Sequence, residues 1–198
     1  MLKLGLAGIS LFGLSSLISG QASAFCDHDQ FTEPVANAYA DYETQLFTDA
    51  DPQALLAILD PILAMELNCF ELGTIAFLKS SLLTTLEDDR AAAEAMETAL
   101  EADYMLRSER RNALKALGEL YYGFDKRAAL RSFERWESAG GIPDVGESLR
   151  MANLYQDTGK YQKAFEYAEI AYREATFPDD KFAADDLMNA AQKRMLGQ

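Results

Sequence analysis

The stretch from Val145 to Pro178, VGESLRMANLYQDTGKYQKAFEYAEIAYREATFP, decides how the rest of the chain is read. Leu149, Ala152 and Tyr155 recur at helical spacing ahead of Gly159, and Ala164, Ala168 and Ala171 recur at the same spacing beyond it. Each run therefore has one apolar stripe with the period of an amphipathic helix. Asp144 precedes Glu147 by three residues, the pattern in which two side chains satisfy each other's backbone N–H at a helix start. Gly159 breaks the first helix, a second covers Tyr161 to Ala175, and Phe177-Pro178-Asp179 opens another running to about Leu196.

Working outward, the same grammar repeats. Ser108 reads as the cap of a helix carrying Leu114, Leu117, Leu120 and Tyr121. Gly123 to Asp125 breaks it before Ala128 to Ser138, and Gly140-Gly141 supplies a left-handed terminus. Asp88-Asp89 separates the apolar-rich segment Cys69 to Leu86 from Arg90 to Ala102, where Ala92, Ala95, Met96, Ala99 and Leu100 share a face, so these two form a hairpin. Glu33 to Phe47 has helical pattern through Val35, Tyr39, Tyr42 and Leu46. Asp51-Pro52 starts the next helix, which Asp60-Pro61 either kinks or divides. No run alternates as a strand does, and the expected count is eight or nine helices.

Shifting the decisive stretch back by 34 residues sets Leu117-Gly118, Leu120 and Tyr121 opposite Met151-Ala152, Leu154 and Tyr155. Ala129 and Phe133 align after the turn is shortened by one residue, and Ala92, Met96 and Ala99 form a more degenerate second helix upstream. With Gly159, Tyr161, Ala164, Ala168, Ala171 and Pro178, these residues resemble a tetratricopeptide repeat, whose period is 34 residues. One departure is Tyr167, a residue early where the family prefers an aromatic. The resemblance implies an all-α, right-handed superhelical array of antiparallel helix pairs. It divides residues 25–198, one domain, into clear repeats at 111–144 and 145–178, a degenerate one at about 74–102 and a capping helix at about 180–196. It further implies a concave face lined by the first helix of each pair, with Asn112, Lys115, Glu119, Tyr122, Asn153 and Gln156 available to a protein or peptide partner. Members that clamp a terminal carboxylate need a lysine where this chain has Leu149, which argues against that ligand.

The chain begins Met1-Leu2-Lys3, continues apolar from Leu4 to Ser19, and reaches Ala22-Ser23-Ala24. Basic start, apolar core and small-x-small site are the parts of a secretory leader, placed here at residues 1–24. As a helix its apolar core reaches roughly 24 Å, short of the ~30 Å hydrocarbon layer, so cleavage is favoured over an N-terminal inner-membrane anchor. A lipid-attachment site is disfavoured by Phe25 ahead of Cys26. The expected location is a bacterial periplasm, with anchored or secreted forms as alternatives, and no stable membrane insertion once the leader is gone. Export puts Cys26 and Cys69 where disulfides persist, and a bridge is the expected state over two free thiols.

The 198 residues carry 18 basic and 32 acidic side chains, a net charge of −14. That field repels phosphate backbones and excludes nucleic acid as a partner class. With one histidine, no Gly-x-Ser-x-Gly elbow, no glycine-rich phosphate loop and no His-Glu-x-x-His helix, the chain offers no nucleophile-base pair and no cofactor motif. Carboxylate chemistry on carbohydrate or peptidoglycan needs only two acids and stays as an alternative activity. Small-ligand or metal capture is another, through Cys26-Asp27-His28-Asp29 or the aromatic group Phe124, Phe133 and Trp136, although aromatics at helical spacing more simply build core. Arg107, Arg110 and Arg111 form the densest basic spot and read as partners for Glu101 and Asp103. The leading expectation is a non-catalytic adaptor that holds a protein or peptide within an envelope assembly.

Overall fold

The computed structural model describes residues 26–48 and 50–198; the leader read at 1–24 lies outside them. Nine helices follow one another among the described residues, with no strand. They are α1 (Glu33–Leu46), α2 (Pro52–Leu63), α3 (Cys69–Thr85), α4 (Asp89–Glu101), α5 (Arg107–Tyr122), α6 (Lys126–Ser138), α7 (Val145–Asp157), α8 (Tyr161–Glu174) and α9 (Pro178–Met195). Short connections fold successive helices back on each other, giving the pairs α1/α2, α3/α4, α5/α6 and α7/α8, with α9 closing the stack against α8 and α7. Each pair leans on the next through α2/α3, α4/α5 and α6/α7, the arrangement of an α-solenoid.

Local chemistry sets most of the boundaries. Asp51, Asp88, Asp125 and Asp144 each accept a backbone N–H from the first turn of the helix they precede. Two departures from the sequence reading have physical causes. Helix α5 starts at Arg107 and not after Ser108, because the Glu109 carboxylate takes the Leu106 N–H at 2.9 Å and supplies the reverse half of a capping box without a polar side chain at the cap. Pro61 neither divides α2 nor starts a new helix; it sits in the last turn, where the missing N–H removes one bond close to the helix end.

The connection from α3 to α4 has the hydrogen bonds of a Schellman cap, Asp88 N–H to Leu83 C=O at 3.0 Å and Glu87 N–H to Thr84 C=O at 3.1 Å. The left-handed residue is Glu87, with φ of 60°, where Gly140 and Gly159 do the same work after α6 and α7. A Cβ in that conformation carries about 1 kcal/mol of strain. Glu87→Gly is therefore expected to raise stability by about 0.5 to 1 kcal/mol, read as a higher urea midpoint; an unchanged or lowered midpoint would contradict the strain.

Alanines bring the helices together. Ala92, Ala99, Ala129, Ala164, Ala168 and Ala171 are fully buried, and Phe133, Leu117, Met151, Leu154 and Tyr155 fill the space between pairs. The Ser80 hydroxyl donates to the Ala92 carbonyl at 2.8 Å, so this buried polar group at the α3/α4 contact is satisfied. Helices α1 and α2, unplaced by the repeat pattern, have their own cluster of Val35, Tyr42, Leu55, Leu59 and Ile62 and join the stack through Ile75 of α3.

Residues 26–32 are tied across the start of α3 by three consecutive residues. Cys26 is bridged to Cys69, Phe31 packs on Phe70 at 5.4 Å between ring centres, and the Thr32 N–H donates to Glu71. Glu71 is wholly buried and also accepts the Asn68 N–H at 2.8 Å, while Asn68 caps α3 in return. Burial alone would raise its pKa, but the backbone donors of Thr32 and Asn68 outweigh it, and the carboxyl lies below its ordinary 4.5. A lowered folded pKa contributes stability above the unfolded value that is lost as pH falls. Glu71→Gln should accordingly flatten the decline of the thermal midpoint between about pH 5 and 3; an unaltered decline would remove Glu71 as its source.

Candidate functional site: a groove between α3 and α5

The first helices of the second and third pairs, α3 and α5, scarcely touch; α4 packs against both and holds them apart. The gap is a groove of about 830 Å³ along most of both helices. Phe70, Thr74, Phe77, Ser81 and Thr84 line one wall, Glu109, Asn112, Ala116 and Glu119 the other, and Met96 and Met105 form part of its floor. Phe77 is 39 % exposed, an aromatic ring facing the opening.

One backbone feature shapes an end of the groove. Gly73 has no side chain because the Tyr104 ring occupies that place; a Cβ there would overlap the ring. Tyr104 in turn meets Phe70 edge-on at 6.0 Å, so the disulfide-bound start of α3 and the loop before α5 close one end with aromatic rings. Burial raises the Tyr104 phenol above its ordinary value. Thr74 Oγ1 is buried in the wall beside the Tyr104 phenol.

The six residues expected on the concave face divide between two places. Asn112 and Glu119 line the groove. The other four lie on the α5/α7 side. Lys115 Nζ sits 2.6 Å from Glu147 Oε1, a hydrogen bond that raises its pKa. Tyr122 is covered by Lys126 at 3.6 Å from its ring centre and by Arg150 at 5.6 Å. Asn153 donates to the Leu149 carbonyl of its own helix, and Gln156 is half-buried with Oε1 unpartnered among the described residues. Arg150 also reaches Glu119 at 3.3 Å, so α5 and α7 are tied by ion pairs where α3 and α5 are open. The groove residues of α3 were not singled out from the sequence. The one signal was Asn68-x-x-Glu71, which marks the helix start but says nothing of the gap beside it.

Elsewhere the alternative chemistries meet structural commitments. The Cys26 sulfur is in the disulfide, leaving His28 exposed beside Asp27 at 3.4 Å. Phe133 and Trp136 are core, and half-buried Phe124 lies under Arg90 at 4.7 Å. Arg110 binds Asp103 and the Leu100 carbonyl, both at 2.9 Å, while Arg135 reaches Glu97 at 3.4 Å. These two arginines and Arg131 border a shallow depression of about 530 Å³ over α5 and α6. Among the described residues the two buried glutamates, Glu71 and Glu147, are both occupied as helix caps. Tyr155 and Tyr167 donate to Glu134 and Glu137, and burial followed by these carboxylates drives both phenols up.

Antiparallel helix pairs stacked in one direction, closed by a single terminal helix and open along one inter-helix groove, define a tetratricopeptide-like α-solenoid. No family model matches the chain, and no curated protein matches its sequence. Among solved structures the chain is similar to the crystal structure of MamA protein, a tetratricopeptide-like fold, with a TM-score of 0.57. The match has 16 % sequence identity and covers 83 % of this chain and 90 % of that one. The likeness is one of fold.

Proposed function

We propose that the protein is a non-catalytic, exported scaffold that holds a segment of another protein in the groove between α3 and α5, in an envelope assembly of the bacterial periplasm. The observation that carries this reading is the groove itself: about 830 Å³, open along its length, with Phe70, Phe77 and Tyr104 offering apolar surface above buried Met105 and Leu120, and Ser81, Thr84 and Asn112 offering hydrogen bonds. A preformed concave groove with a mainly apolar lining and a few convergent polar groups has the usual form of a binding site. A rigid stack presents it preformed, which limits the ordering entropy on binding to that of the partner. The disulfide supports an oxidising compartment, and the leader motif at 1–24 supports the same location.

The test is co-purification from envelope extracts with Phe77→Asp and Ser81→Trp, which place a charge or bulk in the groove, beside the double substitution Tyr122→Ala and Asn153→Ala on the α5/α7 side. Capture should fall at least tenfold in each groove variant, with thermal midpoints within a few degrees of the parent. Loss of capture only in the Tyr122/Asn153 variant would move the site to the α5/α7 surface and overturn the groove.

A further inference from the structure

The charged residues along the groove share one sign. Asp89, Glu109 and Glu119 line it, and no lysine or arginine does among the described residues. They are also placed by position. Glu109 stands in the first turn of α5 near Phe70, Tyr104 and Met105, whereas Asp89 and Glu119 lie toward the other end with Thr84, Thr85 and Leu120. From Glu109 to Glu119 along α5 is ten residues, about 15 Å at the helical rise. Between the acidic ends the walls carry small side chains, Ser80 and Ser81 on α3 and Ala113 and Ala116 on α5, with Phe77 above them. Glu119 shares its charge with Arg150 at 3.3 Å, so Asp89 and Glu109 carry more of the field.

Resting on the groove reading above, we infer that the occupant is an amphipathic helix with an apolar stripe of about three turns and a lysine or arginine at each end. Small residues at mid-groove admit the close approach of a helix, and the α3–α5 spacing turns two helices into a seat for a third. Such a partner presents apolar side chains at i, i+3 or i+4, and i+7 to Phe70, Tyr104 and Phe77, which line the groove above buried Met105 and Leu120. Its terminal cations reach Glu109 at one end and Asp89 with Glu119 at the other. The −14 charge of the whole chain steers the same cationic partner and repels acidic competitors.

A display library of random 16-residue peptides panned on the purified protein at low salt tests this, with Ser81→Trp and Phe77→Asp as counter-selections and fluorescence anisotropy on the strongest synthetic peptide. Enriched peptides are expected to combine helical apolar spacing with Lys or Arg at both ends. Exchanging those cations for Glu should weaken binding at least tenfold, as should the triple variant Asp89→Asn, Glu109→Gln, Glu119→Gln. Glutamine at 109 keeps an acceptor for the Leu106 N–H, so the helix start survives the test. The difference should shrink at high salt, as exposed charge pairs require.

Enrichment of neutral or acid-flanked peptides that both groove variants block would overturn the basic-helix inference and leave the groove reading standing. Enrichment indifferent to the groove variants, or none at all, would overturn both. Binding of fluorescent oleate that the groove variants abolish, with no peptide enriched, would assign the groove to a lipid chain and overturn the inference. Self-association of the protein that those variants abolish would instead seat a second copy there and overturn it.

Discussion

Replacing Cys26 and Cys69 together by serine is expected to lower the thermal midpoint by roughly 10 °C. The bridge joins residues 43 apart in sequence. Closing a loop of that length removes about 3 to 4 kcal/mol of chain entropy from the unfolded state. For a domain of this size each kcal/mol corresponds to roughly 2 to 4 °C. The native contacts around the bridge do not depend on it. Phe31 still has Phe70, Thr32 still has Glu71, and the Cys26 N–H reaches the Asp103 carbonyl at 3.4 Å. The folded stack should therefore stay intact, with the loss arising from the entropy the unfolded chain regains. Calorimetry with and without reductant checks it: reductant should shift the parent protein by the same amount and leave the double variant unmoved. A parent midpoint insensitive to complete reduction would show that the bridge contributes nothing.

Phe133→Ala should cost about 3 to 5 kcal/mol, read as a fall in the urea midpoint at constant slope. Phe133 is 0 % exposed, meets Trp136 edge-on at 6.2 Å, and lies against Gly118 so closely that a Cβ there would come to 2.9 Å of the ring. Neither α5 nor α6 can collapse into the space, because alanines and glycine already hold them near contact. The cavity therefore persists, and its cost is a large share of the 5 to 15 kcal/mol typical of a folded domain. Phe133→Leu, which retains most of the volume, should lose less than half as much. A loss below 1 kcal/mol for Phe133→Ala would mean that the pairs repack freely and that the stack is not rigid.

The register of the third and fourth pairs was legible from Val145–Pro178 and its shifted counterpart because the relevant forces are local. Asp144 with Glu147, Gly159 at its positive φ and the spacing of Ala164, Ala168 and Ala171 act within a turn or two of their own position. The first pair was legible only as helices. Its packing depends on aromatic and β-branched residues such as Val35, Tyr42 and Ile62, which fill the same role without the small-residue pattern of a repeat. The cap of α5 escaped for a related reason: Leu106 has no acceptor, and only the Glu109 half of the reciprocal pair is present.

By its own pattern the sequence determined the helical class and the pairwise stacking, together with a cysteine pair suited to a bridge. Tertiary structure decided where the surface is open. Lys115 and Tyr122 look as available as Asn112 when α5 is read alone, yet Glu147, Lys126 and Arg150 occupy them once the turns bring those groups alongside. The groove exists because α4 keeps α3 and α5 apart, a separation set by side chains tens of residues distant along the chain. Periodicity reports which face of a helix is apolar; whether a neighbour covers that face is a property of packing, and here Phe77 and Met105 meet at a gap that only the assembled stack creates.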